Sequence, residues 1–333
     1  MTSVLFVRLS SMGDVVHGLG AIAALHCVRP DWPLSFVTQS TFAPLVEGIP
    51  GVKRVLTFDR RGGIAGLLRL RAAMRALHFD LALDLQGNWK SGLVAALSGA
   101  RERIGMAAGW RQEPCSRILL HRTVECAAVP HPARAAFELV RTVAPDVTFL
   151  PPRLVATPGE VEFERAELAR IGIVVDRPFT VVVRTDPRDP RALRPEIVNG
   201  ITSASGGAVV HVFGPAERDL LESPGIAALR HESGQVRRLI ALGALVTSAG
   251  GEVIGPDQGA SHVLAAAGAP CRILFGATDP LRTAPPSAAA LLHPQPPTCQ
   301  PCGQRRCSHP QGVVCMQFAP RDGRRVDLGW PRG

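Results

Sequence analysis

Short apolar runs alternate along this chain with stretches whose apolar positions recur at helical spacing. In the first half the runs at 4–9, 34–38, 52–58 and 81–85 predict strands, and 15–29, 64–77 and 90–97 predict helices. The helix at 64–77 carries arginines on its outer face. A proline-containing stretch, 145–158, breaks the alternation, and a charged helix at 160–170 and a strand at 179–183 follow. The second half predicts strands at 209–213, 245–247, 253–255 and 272–275, with helices between them, one around 262–267. Strand–helix alternation of this kind builds parallel sheets covered by helices. The expected fold class is therefore α/β: an N-terminal Rossmann-like domain (1–155), a linker and connecting helix (156–175), a second Rossmann-like domain (176–290) and a cysteine-rich tail (291–333). In such folds ligands meet the carboxyl ends of the strands, here in a cleft expected between the domains.

Composition narrows the partners. A chain of 333 residues suits two domains, and no apolar run reaches the roughly 18 residues of a membrane span. The opening residues read as a first strand and lack the basic patch and long apolar stretch of a secretory signal, so a cytoplasmic protein is expected. The net charge of +9 is almost all arginine, since Lys53 and Lys90 are the only lysines. A basic enzyme attracts nucleic acid, anionic lipid head groups or phosphorylated sugars. The arginines are dispersed and lack interleaved aromatics, so no nucleic-acid partner is expected. Arginine bias with no tyrosine is also what a GC-rich genome produces.

Two predicted strand ends carry candidate chemistry. The first strand runs into Ser10-Ser11-Met12-Gly13-Asp14-Val15-Val16-His17. Gly13 permits a tight turn, the serine hydroxyls can cap the following helix, and a helix N-terminus favours anions. Asp14 then faces a bound substrate or simply caps the helix, and spacing alone leaves both open. The strand at 253–255 leads into Asp257-Gln258-Gly259-Ala260-Ser261-His262, a glycine turn opening a small-residue helix whose backbone N–H groups suit a diphosphate. Gly-x-Gly-x-x-Gly does not follow the first strand, which argues against a dinucleotide oxidoreductase. Near the end, Cys299, Cys302, Cys307 and Cys315 are spaced like a closed four-thiolate site, structural zinc or iron, with His309 as a substitute ligand. Such a site leaves no position open for catalysis.

Several of these segments, in this order, resemble the heptosyltransferases of glycosyltransferase family 9. They are Arg8 to His17; Asp84-Leu85-Gln86-Gly87-Asn88-Trp89-Lys90-Ser91; Gly109-Trp110-Arg111-Gln112-Glu113-Pro114; and Asp257 to His262, where Gln258 replaces the family's threonine. The resemblance implies a GT-B type fold, with two Rossmann-like domains whose parallel sheets face a central cleft. It implies an inverting transferase that moves heptose from ADP-heptose to the Kdo/heptose inner core of lipopolysaccharide and needs no cofactor for catalysis. Asp14 would be the general base, and Ser10, Ser11, Gly13, His17, Lys90 and Arg111 would meet the lipid A–Kdo acceptor. The donor would meet Thr185, Arg191, Glu217, Asp257, Gln258, Gly259 and His262. Glu217 ends Gly214-Pro215-Ala216-Glu217, which is similar to the family's Gly-x-x-x-Glu turn, whose glutamate binds ribose. Arg191 stands where the family has a phosphate-binding lysine, and Leu193 where it has a tryptophan. The cysteine tail resembles second-heptose enzymes, and 84–91 with 109–114 the first-heptose type. Since the acceptor is a lipid, peripheral contact with the inner membrane follows. Another nucleotide sugar or acceptor, or a non-catalytic relative, are the competing readings.

Overall fold

The computed structural model describes residues 1–126, 130–214, 227–230 and 235–330, which form two compact units, Met1–Pro152 and Arg153–Gly333. The first unit contains strands β1 (Val4–Val7), β2 (Leu34–Gln39), β3 (Val52–Phe58), β4 (Leu81–Asp84), β5 (Glu102–Met106) and β6 (Arg122–Val124). Its helices are α1 (Met12–Val28), α2 (Ala43–Val46), α3 (Gly63–Arg75), α4 (Trp89–Leu97) and α5 (Pro132–Arg141). The strands are all parallel and ordered β3-β2-β1-β4-β5-β6. Central β1 is buried along its whole length, as the unbroken run Val4-Leu5-Phe6-Val7 requires of a parallel strand covered on both faces. On one face Leu5, Val7 and Ala82 pack against Leu70 and Met74 of α3 and Val94 and Ala95 of α4.

The second unit contains β7 (Thr180–Val183), β8 (Val209–Phe213), β9 (Ala227–Arg230), β10 (Glu252–Pro256), β11 (Cys271–Phe275), β12 (Ala289–Leu292) and β13 (Arg324–Arg325). Its helices are α6 (Pro158–Arg170), α7 (Pro195–Ala204), α8 (Val236–Ser248), α9 (Gly259–Ala266) and α10 (Pro280–Thr283). The order is β13-β12-β11-β10-β7-β8-β9, parallel except for β13, which pairs antiparallel with β12. Read from β9, this is the same doubly wound scheme as the first unit, extended by one strand. In each unit the order reverses beside the first strand, between β1 and β4 and between β7 and β10. A crevice opens at the carboxyl ends of such a pair.

One expected strand is a correction. Residues 245–247 belong to α8, because Val236, Leu239, Ile240, Leu242, Leu245 and Val246 are buried at helical spacing over 13 residues. The segment after 290 is built into the second unit: Leu291, Cys315, Met316 and Phe318 lie in one core with Val182, Ile254 and Leu274. No described helix is long and apolar enough to cross a membrane.

Candidate functional site

At the first switch point, the chain leaves β1 through Arg8, which is 5 % exposed. Its guanidinium pairs with Asp14 at 2.7 Å, donates from Nε to the Ser10 carbonyl at 3.1 Å, and donates to the Leu85 carbonyl beyond β4. Asp14 is the third residue of α1. Its Oδ2 accepts from the Ser11 hydroxyl at 2.9 Å and the Ser11 N–H at 3.2 Å, closing a capping box. Capping does not consume the carboxylate, whose side chain keeps 23 % of its surface exposed. Burial pushes its pKa up, but the Arg8 cation, helped by His17 and the Ser11 N–H, prevails and holds it down at about 2.

Gln86 joins the two strand ends. Its Oε1 accepts from the N–H groups of Leu9 at 2.7 Å and Ser10 at 3.4 Å, and its amide donates to the Ser10 hydroxyl at 3.4 Å. Beneath it, Asp84 accepts from the Gln86 and Gly87 N–H groups, each at 3.1 Å, and pairs with Arg111 at 2.9 Å. Gly87 turns at φ 76°, and a Cβ there would come within 3.1 Å of the Arg111 Cα. Both side chains of the Asp84–Arg111 pair have zero exposure. Arg111 also donates to the Ser116 hydroxyl at 3.0 and 2.7 Å, so it offers no surface to a ligand. The reason is Asp84, a buried carboxylate that requires a cation.

His17 is likewise buried, its ring edge-on to His131 with centroids 4.7 Å apart. His131 caps α5 by accepting the Ala133 N–H at 3.1 Å. Gly13 is buried, Ser10 half-buried and Ser11 exposed. Lys90 is exposed on the first turn of α4, where Asn88 caps the helix by accepting the Ser91 N–H at 3.0 Å. Arg8 was given no role of its own from the sequence, although it is the one charged residue in the apolar run at 4–9.

At the second switch point, Asp257 follows β10 and accepts from His262 Nε2 at 2.8 Å and from the Thr283 hydroxyl at 2.9 Å. Burial pushes this carboxyl up, yet the hydrogen bond and charge of His262, with Thr283, hold it at about 2. Gln258 is the N-cap of α9 and supplies no side-chain cap, while Gln258, Gly259 and Ala260 remain half-buried at the helix start. Gly255 cannot carry a side chain, because a Cβ would meet Ser261 Oγ at 2.7 Å and Val183 at 2.8 Å. After β7, Asp186-Pro187-Arg188 and Asp189-Pro190-Arg191 fold alike. Each aspartate accepts the backbone N–H two residues on, at 2.9 and 2.8 Å, and the guanidinium of that same arginine. Arg191 donates onward to the Asp257 carbonyl at 3.1 Å, which ties the loop after β7 to the loop after β10. Thr185 is buried beside them, and Glu217 lies outside the described residues.

The four tail cysteines are near neighbours. Burial first, then the nearby Cys302, Cys307 and Cys299 thiols, push the Cys315 thiol up to about 11. Cys315 is buried and the other three are exposed, and the Cys307 thiol donates to the Gly312 carbonyl at 3.4 Å. Among the described residues no group of three or more His, Cys, Asp or Glu side chains is arranged to hold a metal ion.

The model of glycosyltransferase family 9 (heptosyltransferase) matches residues 67–185 and 237–312, more than half of the chain. The chain belongs to glycosyltransferase family 9. Among its relatives, the lipopolysaccharide core heptosyltransferase OpsX of Haemophilus influenzae is 22% identical over 298 residues, covering 85% of this chain and 81% of that protein. Lipopolysaccharide heptosyltransferase 1 of Pseudomonas aeruginosa is 24% identical over 320 residues, covering 92% and 87%. The fold matches E. coli ADP-heptose lps heptosyltransferase II with TM-score 0.72 at 18% identity, covering 97% of this chain and 96% of that one. It matches E. coli heptosyltransferase WaaC with ADP-2-deoxy-2-fluoro heptose with TM-score 0.67 at 21% identity, covering 96% and 97%. This family 9 glycosyltransferase thus has the expected α/β, GT-B class fold, two Rossmann-like units built on parallel sheets.

Proposed function

We propose that this glycosyltransferase transfers heptose, with inversion, from ADP-heptose to the Kdo/heptose inner core of lipopolysaccharide. The observation that carries the reading is Asp14, a carboxylate kept ionised by Arg8 yet partly exposed at the carboxyl end of β1. The acceptor hydroxyl oxygen attacks the anomeric carbon from the face opposite the diphosphate. As the new C–O bond forms, the hydroxyl proton passes to Asp14, and the bond to the diphosphate breaks with its electron pair leaving on oxygen. A carboxylate near pKa 2 is a weak base, but it is always in the basic form, and the hydroxyl turns strongly acidic only as its oxygen bonds to carbon. Arg191 and the open N-terminus of α9 receive the charge that develops on the leaving group.

In this reading Asp257 and His262 position the α9 turn, and Thr185, Gln258, Gly259 and Glu217 complete the donor's surroundings. Ser10, Ser11, Gly13 and Lys90 serve the acceptor. Arg111 and His17, being enclosed, act by positioning the loops that carry Gln86 and Asp14. Relatives named for lipopolysaccharide heptose transfer support the substrate pair. Peripheral membrane contact on the cytoplasmic face belongs to the same reading. It draws support from α3 and its entry, where Arg60, Arg61, Arg69, Arg71 and Arg75 are exposed beside the exposed Ile64 and Leu68. Incubation with ADP-heptose and Kdo-lipid A tests the proposal: a heptosylated lipid is expected. Absence of transfer, with turnover of a different nucleotide sugar or acceptor, would overturn the heptose assignment.

A further inference from the structure

Beyond β7 and β11 the second unit opens into a cavity of about 890 Å³. Its walls include Arg188 and Arg191 from the loop after β7, Thr278 from the loop after β11, and Arg305 and Arg306 from the tail. The tail segment is held against the end of β11. The Gly303 N–H donates to the Ala277 carbonyl at 2.7 Å, and the Gln300 amide donates to the Phe275 carbonyl at 3.0 Å. Cys302 and Cys307 bracket the two arginines, and Ser308 donates to Gln304 at 3.1 Å within the same loop.

Four guanidinium groups thus line one concave surface. The two carboxylates that share it, Asp186 and Asp189, are already closed on Arg188 and Arg191, which leaves Arg305 and Arg306 as the charges of the wall that no carboxylate among the described residues pairs with. Like charges gathered around a concavity repel one another until an anion enters, and arginine's planar fork suits phosphate oxygens. Both arginines are exposed, so no demand of the core explains their position.

We propose that Arg305 and Arg306, carried on the cysteine-bracketed loop, form part of the nucleotide-sugar site and bind the diphosphate of a nucleoside diphosphate donor together with Arg191. The inference rests on the reading of this unit as the donor-binding one. It gives the tail a binding role: the loop is a wall of the site, and the two charges needed against a diphosphate come from it.

Calorimetric titration of the full chain with ADP and with inorganic pyrophosphate tests this. The R305Q/R306Q variant is expected to bind both at least ten-fold more weakly, R305K to lose less than R305Q because it keeps the charge without the fork, and R165Q, on α6, to be unchanged. Circular dichroism checks the fold, and R305Q and R306Q read singly should the double variant not fold. Wild-type affinity for both ligands in the double or single variants overturns the inference and leaves the donor-binding reading standing. Loss of affinity equal in R165Q makes the effect one of net charge and overturns it too. A wild-type chain that binds neither ADP nor pyrophosphate overturns the inference and the donor-binding reading together.

Discussion

Two opposing influences meet on the carboxylate of Asp14: burial, which favours the neutral acid, and the Arg8 guanidinium at 2.7 Å, which favours the anion. The cation prevails, so the base form persists down to about pH 2. Asp14→Asn is expected to lower turnover roughly 100- to 10,000-fold, the range for loss of a general base, with little change in the donor's KM. An unchanged rate in a transfer assay would remove Asp14 from its role. Arg8→Gln makes a second prediction whose sign follows from the same balance. Without the cation, burial is opposed by the lesser influences of His17 and the Ser11 N–H, and the Asp14 pKa rises, so the pH–rate profile should gain an acid limb absent from the wild type. A profile that kept its shape would mean that Arg8 does not govern the base. Asp257 obeys the same linkage in the other unit. Its pKa is lowered from 3.8 to about 2, so the stability it contributes is whole above 3.8 and disappears as pH falls through about 2.

Among the elements, the two loops after β4 and β5 depend on one buried ion pair. Removing Arg111 strands Asp84 with no exposure and two backbone N–H groups as its remaining partners. Arg111→Ala should therefore cost about 3–5 kcal/mol, and Lys should not restore it, because the site uses the guanidinium fork against both Asp84 and Ser116. Urea unfolding measures both, and a loss under 1 kcal/mol for Arg111→Ala would show that the pair is dispensable. From sequence, Arg111 read as a cation for the acceptor, because its partner Asp84 lies 27 residues away and the pairing exists only after folding. Strands built on apolar runs, such as β1, β7 and β8, were legible, as was the glycine turn before α9. The short edge strand β6, Arg-Thr-Val, was not, since an exposed polar edge leaves no hydropathy signature. Residues 245–247 looked like a strand only when their three positions were separated from the helical period of the 13-residue α8. The tail had no expected element, yet its run Val313-Val314-Cys315-Met316 with Phe318 carries it into the core of the second unit, a pairing with distant strands that exists only after folding. Met316→Ala should accordingly destabilise the second unit by roughly 2–5 kcal/mol, read by thermal unfolding.

On the scale of the whole molecule, part of the charge of +9 is gathered on one exposed helix face. In the first unit α3 buries Leu70 and Met74 against the sheet and leaves Ile64, Leu68, Arg69, Arg71 and Arg75 facing outward. Apolar side chains set among arginines are what a helix needs to lie on an anionic lipid surface, where each arginine contributes about 1 kcal/mol. Replacing Arg69, Arg71 and Arg75 together by Gln should then weaken sedimentation with phosphatidylglycerol vesicles on the order of 100-fold, about 3 kcal/mol in all. Wild-type binding should fall as salt rises, since exposed charges separated by more than a Debye length are screened. Transfer to a water-soluble acceptor fragment should be unaffected in the variant, because these arginines do not belong to either switch-point site. Equal loss of activity on soluble and vesicle-borne acceptor would mean that the helix serves the fold and not the membrane. Salt-independent vesicle binding would assign the attachment to Ile64 and Leu68 alone.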